Sequence, residues 1–271
     1  MKTSPNSKHA EAALNLTELC VVIASLAILI LLVLPGLGAS KTQSASAGCL
    51  SNLRHLQTGC AMYSSDYNDY LMPNAPLGNL YANGWCAPAA ENWGVAPANT
   101  NSIYYTTNSM WPYLNNNLRV FRCPGDVVPS VNGFRIRSYS MNSSVLGGLQ
   151  GNLTPLIGYN PGFRVYYKGG DIIQPSPANL FVFADESPAS LNDGYLQCDC
   201  NFPFFPDVPA CYLDGGCGFS FADGHGEIHR WLSSDLLIPV RQGFTKNNLS
   251  LRLGGRNPDW LWFTQHASSK K

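Results

Sequence analysis

The stretch LNLTELCVVIASLAILILLVLPGLG, residues 14–38, decides the architecture of this 271-residue chain. From Leu19 to Ser40 the sequence contains no charged residue. An α-helix rises 1.5 Å per residue, so about 20 apolar residues cross a hydrocarbon core of about 30 Å. The stretch therefore predicts one membrane-spanning helix at residues 14–38.

The residues on either side of this helix set its orientation and the compartment of the rest of the chain. Lys2 and Lys8 precede the apolar run, and the positive-inside tendency weakly favours a cytoplasmic N-terminus. Charged residues make up only 13% of the chain, which also contains 25 Gly and 19 Pro, a composition that favours a loop-rich domain outside the cytoplasm. Basic and acidic residues balance at 17 each, so no attraction to nucleic acid is predicted.

Glu18 separates three interpretations of the apolar segment. A carboxylate at the edge of an apolar run is costly without a partner, and an ordinary secretory signal peptide has no use for it. The secretory interpretation stays open, because residues 45–47 form a candidate signal-peptidase site, and so does a lipoprotein signal, because residues 46–49 resemble a lipoprotein box.

The third interpretation comes from a family resemblance. Residues 14–24, LNLTELCVVIA, resemble the FTLIELLVVIA start of type IV pilins and type II secretion pseudopilins. The resemblance implies a leader at 1–13, cleavage between Ala13 and Leu14 by a prepilin peptidase, and methylation of the new N-terminus. This chain has Ala13 and Leu14 where the family has Gly and usually Phe.

The same resemblance gives Glu18 a role in assembly. A carboxylate in an apolar environment is tolerated mainly when a cation neutralises it, and cleavage after Ala13 would create an α-amine on Leu14. In pilin-like assemblies this amine belongs to a neighbouring subunit, and the pairing fixes the axial stagger between subunits. The alternative is an unpaired Glu18 that extends to the membrane interface.

Residues 39–68 form a second, amphipathic part of the N-terminal helix. Apolar residues recur there at spacings of three and four, which is the period of a helix with one buried face. These residues are Ala45, Cys49, Leu53, Leu56, Cys60 and Tyr63. We expect this face to pack on a globular domain at 69–271.

Five further segments extend the resemblance along the chain. They are CLSNLRHL at 49–56, VFRCPGD at 120–126, RSYSMN at 137–142, FADGH at 221–225 and NPDWLW at 257–262. Together they resemble bacterial prepilin-like proteins with a C-terminal module named for an H-x9-DG motif. The histidine of that motif would stand ten residues before Asp223, where this chain has Leu213. Any function of that histidine is therefore absent here.

The region after residue 74 reads as short strands between turns. Strands are predicted at 180–184, 218–221 and 227–231, with Asp223-Gly224 in the tight turn of a hairpin. Asp223 is therefore first of all a turn residue. The predicted fold is α+β and pilin-like: a long N-terminal helix, transmembrane and then amphipathic, packs on an antiparallel sheet with long loops.

The nine cysteines are relevant to the compartment of the globular domain. Cys20 lies in the predicted membrane segment, and the other eight would lie on the outer side, where disulfides form. A disulfide-stapled loop ahead of the hairpin is predicted from Cys198, Cys200, Cys211 and Cys217. The alternative for these four cysteines is a structural zinc site, although their spacing matches zinc motifs poorly.

The sequence gives weaker indications of a metal site or of enzyme activity than of membrane anchoring. Asp185, Glu186 and Asp193 follow a predicted strand and offer oxygen ligands for Ca²⁺, with a solvated turn as the alternative. His225 and His229 are a weaker metal candidate. No other cofactor is predicted, and no nucleophile elbow or phosphate-binding loop indicates an enzyme.

The sequence thus predicts a non-catalytic prepilin or pseudopilin-like subunit. It would be a single-pass protein of the cytoplasmic membrane with its globular domain outside, and it would assemble with other pilin-like subunits. The alternative is a monomeric membrane-anchored binding protein whose aromatic loops contact carbohydrate or another surface ligand. Those aromatic residues are Trp85, Trp93, Tyr104, Tyr105 and Trp111.

Overall fold

The structure is a computed structural model that describes most of the chain. The described residues are 15–74, 84–86, 90–147, 160–197, 199–246 and 248–271, apart from the side chains of 30–40. The predicted leader at 1–13 lies outside them. Two compact units are formed by Met1–Gln43 and Ser44–Lys271.

Helix α1, Leu16–Asp66, is the longest element. Its first turn is capped reciprocally, because the Asn15 side chain accepts from Thr17 N at 3.4 Å and Glu18 Oε2 accepts from Asn15 N at 3.0 Å. Asn68 and Asp69 follow its end with φ of 53° and 66°, a left-handed conformation that does not continue a helix. The sequence-predicted helix at 39–68 is thus confirmed, ending two residues earlier.

The membrane prediction falls partly outside the described residues. Among the residues that the structure describes, no helix combines the length and the apolar character that crossing a membrane requires. Of the predicted span at 14–38, Leu14 and the side chains from residue 30 onward are not described.

Two more α-helices and seven strands follow α1 in the described part of the chain. The helices are α2, Ile103–Thr106, and α3, Pro258–Ala267. The strands are β1, Tyr139–Asn142; β2, Phe181–Asp185; β3, Tyr195–Leu196; β4, Phe204–Phe205; β5, Gly216–Phe221; β6, Gly226–Arg230; and β7, Leu249–Ser250. Seven short 3-10 turns lie in the described connections: Pro97–Asn99, Trp111–Tyr113, Leu118–Phe121, Gly169–Asp171, Pro177–Asn179, Ser234–Leu236 and Gly254–Arg256.

The main sheet has five strands in the order β3-β1-β2-β5-β6, and β4 pairs with β7 separately. Strand β1 pairs antiparallel with β2, β2 with β5, and β5 with β6, whereas the short β3 runs parallel to β1. The α+β class is confirmed, with a sheet that is antiparallel except at one edge.

The predicted hairpin is confirmed with small shifts at its ends. Strand β5 begins two residues earlier than predicted, and β6 occupies Gly226–Arg230. Gly224 has φ of 98°, as the turn requires, and Asp223 Oδ1 accepts from His225 N at 3.0 Å. Asp223 therefore has the structural role predicted for it.

The C-terminal half of α1 packs its apolar face on the sheet. Leu53 and Leu56 are fully buried in one core with Tyr139 and Phe183. A Cβ at Gly218 of β5 would lie 2.6 Å from Cys49 Sγ and 2.9 Å from Leu53 Cδ1. Only glycine at this position allows the helix to approach the strand so closely.

Helix α3 closes a second apolar cluster. Asn257 caps it by accepting from Asp259 N at 3.0 Å and Trp260 N at 3.2 Å. Phe263 is fully buried against Phe181, and the Asp259 carboxylate accepts from the backbone beyond β6. The NPDW segment therefore holds α3 against the sheet.

Candidate functional site

The predicted processing site is only partly described. Ala13 and Leu14 lie outside the described residues, so the scissile bond has no described geometry. Glu18 is exposed on the first turn of α1, where its carboxylate caps Asn15 N. A negative charge is also favourable at this end of the helix dipole.

The first turns of α1 present apolar side chains to the outside on every face. Eight large apolar side chains between residues 16 and 29 are exposed: Leu16, Leu19, Val21, Val22, Ile23, Leu26, Ile28 and Leu29. A helix that is apolar all round is typical of a segment buried by a membrane or by neighbouring chains.

The three carboxylates predicted to bind calcium do not converge on one point. The Asp185 carboxylate faces Cys49, with its Oδ2 accepting from Cys49 Sγ at 2.9 Å. Glu186 faces the other side, because successive residues of a strand alternate, and it accepts from Ser140 Oγ at 2.6 Å. Asp193 Oδ1 accepts from Tyr195 N, so it caps a local turn.

Glu186 instead belongs to a buried group of charges. It lies near Asp207 and Asp193, and burial together with Asp207 raises its pKa well above the usual range. Burial also raises the pKa of Asp207 to about 7. The cation of this region is Arg137, which donates to Glu91 Oε2 at 2.7 Å with both side chains almost fully buried.

The loop cysteines do not form the predicted staple among the described residues. Cys211 and Cys217 have free thiols, which donate to different carbonyl oxygens, those of Ile238 and Asp185. Cys200 is buried, and Cys198 lies outside the described residues. Of the four cysteines, the three in the described part of the chain do not form a group arranged to hold a metal ion, which is what the zinc alternative would require of them.

A different cluster of cysteines assembles beneath α1. Cys49 Sγ, Cys123 Sγ and a carboxylate oxygen of Asp185 all lie within 4.8 Å of one another, and all three residues are completely buried. Cys49 comes from α1, Cys123 from the loop after the 3-10 turn Leu118–Phe121, and Asp185 from the end of β2. Among the described residues, this is the one group of His, Cys, Asp and Glu arranged to hold a metal ion.

Hydrogen-bond donors surround the acceptor atoms of this cluster. Tyr212 donates its hydroxyl to Asp185 Oδ1 at 2.9 Å, and Ser138 Oγ lies 3.4 Å from the same oxygen. Ser138 Oγ also accepts from Cys123 N at 2.8 Å, and Gly125 N donates to Cys123 Sγ at 3.4 Å. Ser138 therefore connects the CPGD loop to the Asp185 carboxylate through hydrogen bonds.

Burial dominates the electrostatics of the cluster. It raises the pKa of Asp185 to about 7, against the lowering effect of hydrogen bonds from Cys49 and Tyr212. It also raises the pKa values of the Cys49 and Cys123 thiols. Without a bound cation, burial therefore favours the neutral forms of both thiols and of the carboxyl group.

All three residues of this cluster drew attention in the sequence, but the sequence did not predict that they meet. Cys49 and Cys123 stand in two of the segments that carry the family resemblance, CLSNLRHL and VFRCPGD. Asp185 was assigned to a calcium loop, because its position relative to α1 depends on the tertiary fold. The available signal for this cluster was the presence of one cysteine in each of these two segments.

Other predicted positions take structural roles. Leu213 is buried in the core, so the position of the missing motif histidine is filled by an apolar side chain. Trp85, Trp93 and Tyr105 are also buried, and each directs its polar atom to a partner inside the protein. These three residues therefore lie outside any exposed platform for carbohydrate, whereas Tyr104 and Trp111, the other two of the predicted set, are half-buried.

The histidines of the hairpin also have partners. His225 Nδ1 lies 2.6 Å from Asp223 Oδ1, and its ring stacks on Phe221. The His229 ring stacks on Trp262 at 3.7 Å between centroids. The two histidines therefore belong to the turn and to the contact with α3.

Comparison with protein-family models, with curated proteins and with solved structures finds no match to this chain.

Proposed function

We propose that this chain is a non-catalytic prepilin-like subunit, anchored in the cytoplasmic membrane by the first part of α1 and assembled with other pilin-like subunits. The unit Ser44–Lys271 would then be displayed outside the cytoplasm. A pilin-like arrangement of one long helix on an antiparallel sheet is part of this proposal.

The observation that carries the proposal is the apolar surface at the start of α1. Eight large apolar side chains are exposed there on all faces, and the apolar run continues in the sequence through Leu34. Exposed apolar surface costs roughly 25 cal/mol per Å², so such a segment needs a lipid or protein environment. The same α1 packs its later residues on the sheet, so one element has two different surroundings.

Glu18 supports assembly rather than simple anchoring. It is the one acidic residue in the first turn of α1, at the edge of the apolar segment. In a filament, its carboxylate would leave its capping contact with Asn15 and pair with the Leu14 amine of a neighbouring subunit. A monomeric anchored protein has no need of this pairing.

The test follows the N-terminus of the full chain in a bacterium that has a prepilin peptidase. Mass spectrometry of the mature protein should show Leu14 as the first residue, with a methylated amine. A mature chain that begins at Gly48 or Cys49 would contradict the proposal, and so would one that keeps Met1.

Variants of two acidic residues then test assembly. We expect the Glu18→Ala variant to insert in the membrane as the wild type does. The yield of crosslinked subunits, or the amount of protein recovered in sheared filaments, should fall at least tenfold. Glu11→Ala is the matched control, because Glu11 lies in the leader that cleavage removes. Equal assembly of wild type and Glu18→Ala would instead favour a monomeric anchored binding protein.

A further inference from the structure

We propose that Cys49, Cys123 and Asp185 bind a thiophilic divalent metal ion, with Zn²⁺ as the ion that fits best. The site lies within Ser44–Lys271 and is independent of the assembly role proposed for Glu18. It joins α1, the CPGD loop and strand β2 at one point.

The first argument is the geometry of the ligand atoms. Two sulfur atoms and one carboxylate oxygen lie within 4.8 Å of one another, which places all three at bonding range of a common centre after small movements. Sulfur and carboxylate together favour Zn²⁺ and disfavour Ca²⁺ and Mg²⁺, which take oxygen ligands. Tyr139 Oη lies 3.5 Å from Cys49 Sγ and adds an oxygen atom beside the cluster.

The second argument is the uncompensated burial of the carboxylate. Asp185 is completely buried, and within the described part of the chain no Lys, Arg or His forms an ion pair with it. The other buried carboxylates that the ion pairs include do have such partners: Asp126 and Glu91 each have an arginine, and Asp259 lies 3.8 Å from His229. A buried carboxylate in its ionised form is normally paired with a cation, and a metal ion bound by Cys49 and Cys123 would supply that cation to Asp185.

The third argument is the outer layer of donors. Tyr212 and Ser138 hold the carboxylate, and the N–H groups of Gly218 and Gly125 point to Asp185 Oδ2 and Cys123 Sγ at 3.4 Å. Metal ligands are characteristically oriented by such second contacts, and N–H donors stabilise thiolate sulfur.

Metal binding at this site would release protons to solvent and leave a small net charge. The ion replaces the protons of the Cys49 and Cys123 thiols, which pass to solvent, and the carboxylate binds in its ionised form. Two thiolates and one carboxylate leave one net negative charge on the zinc site, which the surrounding donors accommodate.

The experiment measures metal in the full chain, purified in detergent under anaerobic conditions with a tag free of histidine. Elemental mass spectrometry should find roughly one zinc ion per chain. Cys49→Ser and Cys123→Ser should each reduce the zinc content at least tenfold. Cys60→Ser should retain it, because Cys60 is a buried thiol of the same helix outside the cluster.

Two further measurements apply if the serine variants do not fold. Asp185→Asn keeps both thiols and should bind Zn²⁺ at least tenfold more weakly. Replacement of zinc by Co²⁺ in wild type should give a near-ultraviolet sulfur-to-cobalt band. Equal zinc in wild type and all variants would overturn the proposal, and so would a Cys49–Cys123 disulfide in peptides from the metal-free protein.

Discussion

At the scale of single residues, buried charge sets the strongest constraints in this protein. Arg137 belongs to the RSYSMN segment and is almost fully buried beside Glu91. It also donates to Tyr139 O at 2.6 Å and Ser140 Oγ at 2.8 Å, so it connects strand β1 to the preceding loops. The guanidinium has several donors in a fixed plane, which lysine would not reproduce.

We therefore predict that Arg137→Met destabilises the fold by about 3–5 kcal/mol, because Glu91 is left buried without its partner. The measurement is the free energy of unfolding in urea. Arg230→Met is the matched control, since Arg230 pairs with Asp214 at the surface and its loss should cost less than about 1 kcal/mol. Similar losses in the two variants would contradict the buried role of Arg137.

At the scale of elements, α1 combines two different surfaces. Its later turns place Leu53 and Leu56 in the core, where both are completely buried. Gly218 removes the side chain that would otherwise separate helix and strand. The described side chains at the start of α1, residues 16–29, are all exposed, and most of them are apolar. This end of the helix is therefore the one that needs a lipid or protein environment.

Leu56→Ala tests the packed surface of α1. We expect a loss of about 2–5 kcal/mol in the free energy of unfolding, since removal of a buried leucine leaves a cavity. Ser51→Ala on the exposed side of the same helix should change stability by less than about 0.5 kcal/mol. A comparable loss at Ser51 would mean that the buried face of α1 has been assigned incorrectly.

At the scale of the whole molecule, several buried carboxyl groups have pKa values above their usual range. Burial raises that of Asp207 to about 7, and burial together with Asp207 raises that of Glu186 as well. Between about pH 4 and pH 7 the folded state therefore holds protons that the unfolded chain has released. Stability from these groups is greatest at low pH and is lost as the pH rises through 7.

The corresponding prediction uses Asp207→Asn, which keeps an acceptor for Gln197 N but does not ionise. The unfolding free energy of the wild type, measured from pH 4.5 to pH 7.5, should contain a decrease that is smaller in the variant. The comparison removes the contributions that both proteins share, including that of His229, whose lowered pKa acts in the opposite direction. A decrease of equal size in both proteins would contradict the assignment.

The sequence by itself determined the local features of this protein. The period of its apolar residues predicted a helix to within two residues of its end at Asp66, and alternation with a Gly turn predicted the hairpin. Both patterns reflect neighbours along the chain. It missed β1 and β3, which are short and buried and have no polar face to reveal a period.

Only the tertiary structure decided which side chains meet. Asp185 and Glu186 are adjacent in sequence, yet strand alternation directs one to Cys49 and Cys123 and the other to Ser140. The predicted calcium set was therefore divided, and two cysteines 74 positions apart were brought to one carboxylate. Such contacts depend on how α1 lies across the sheet, which the spacing of residues along the chain does not encode.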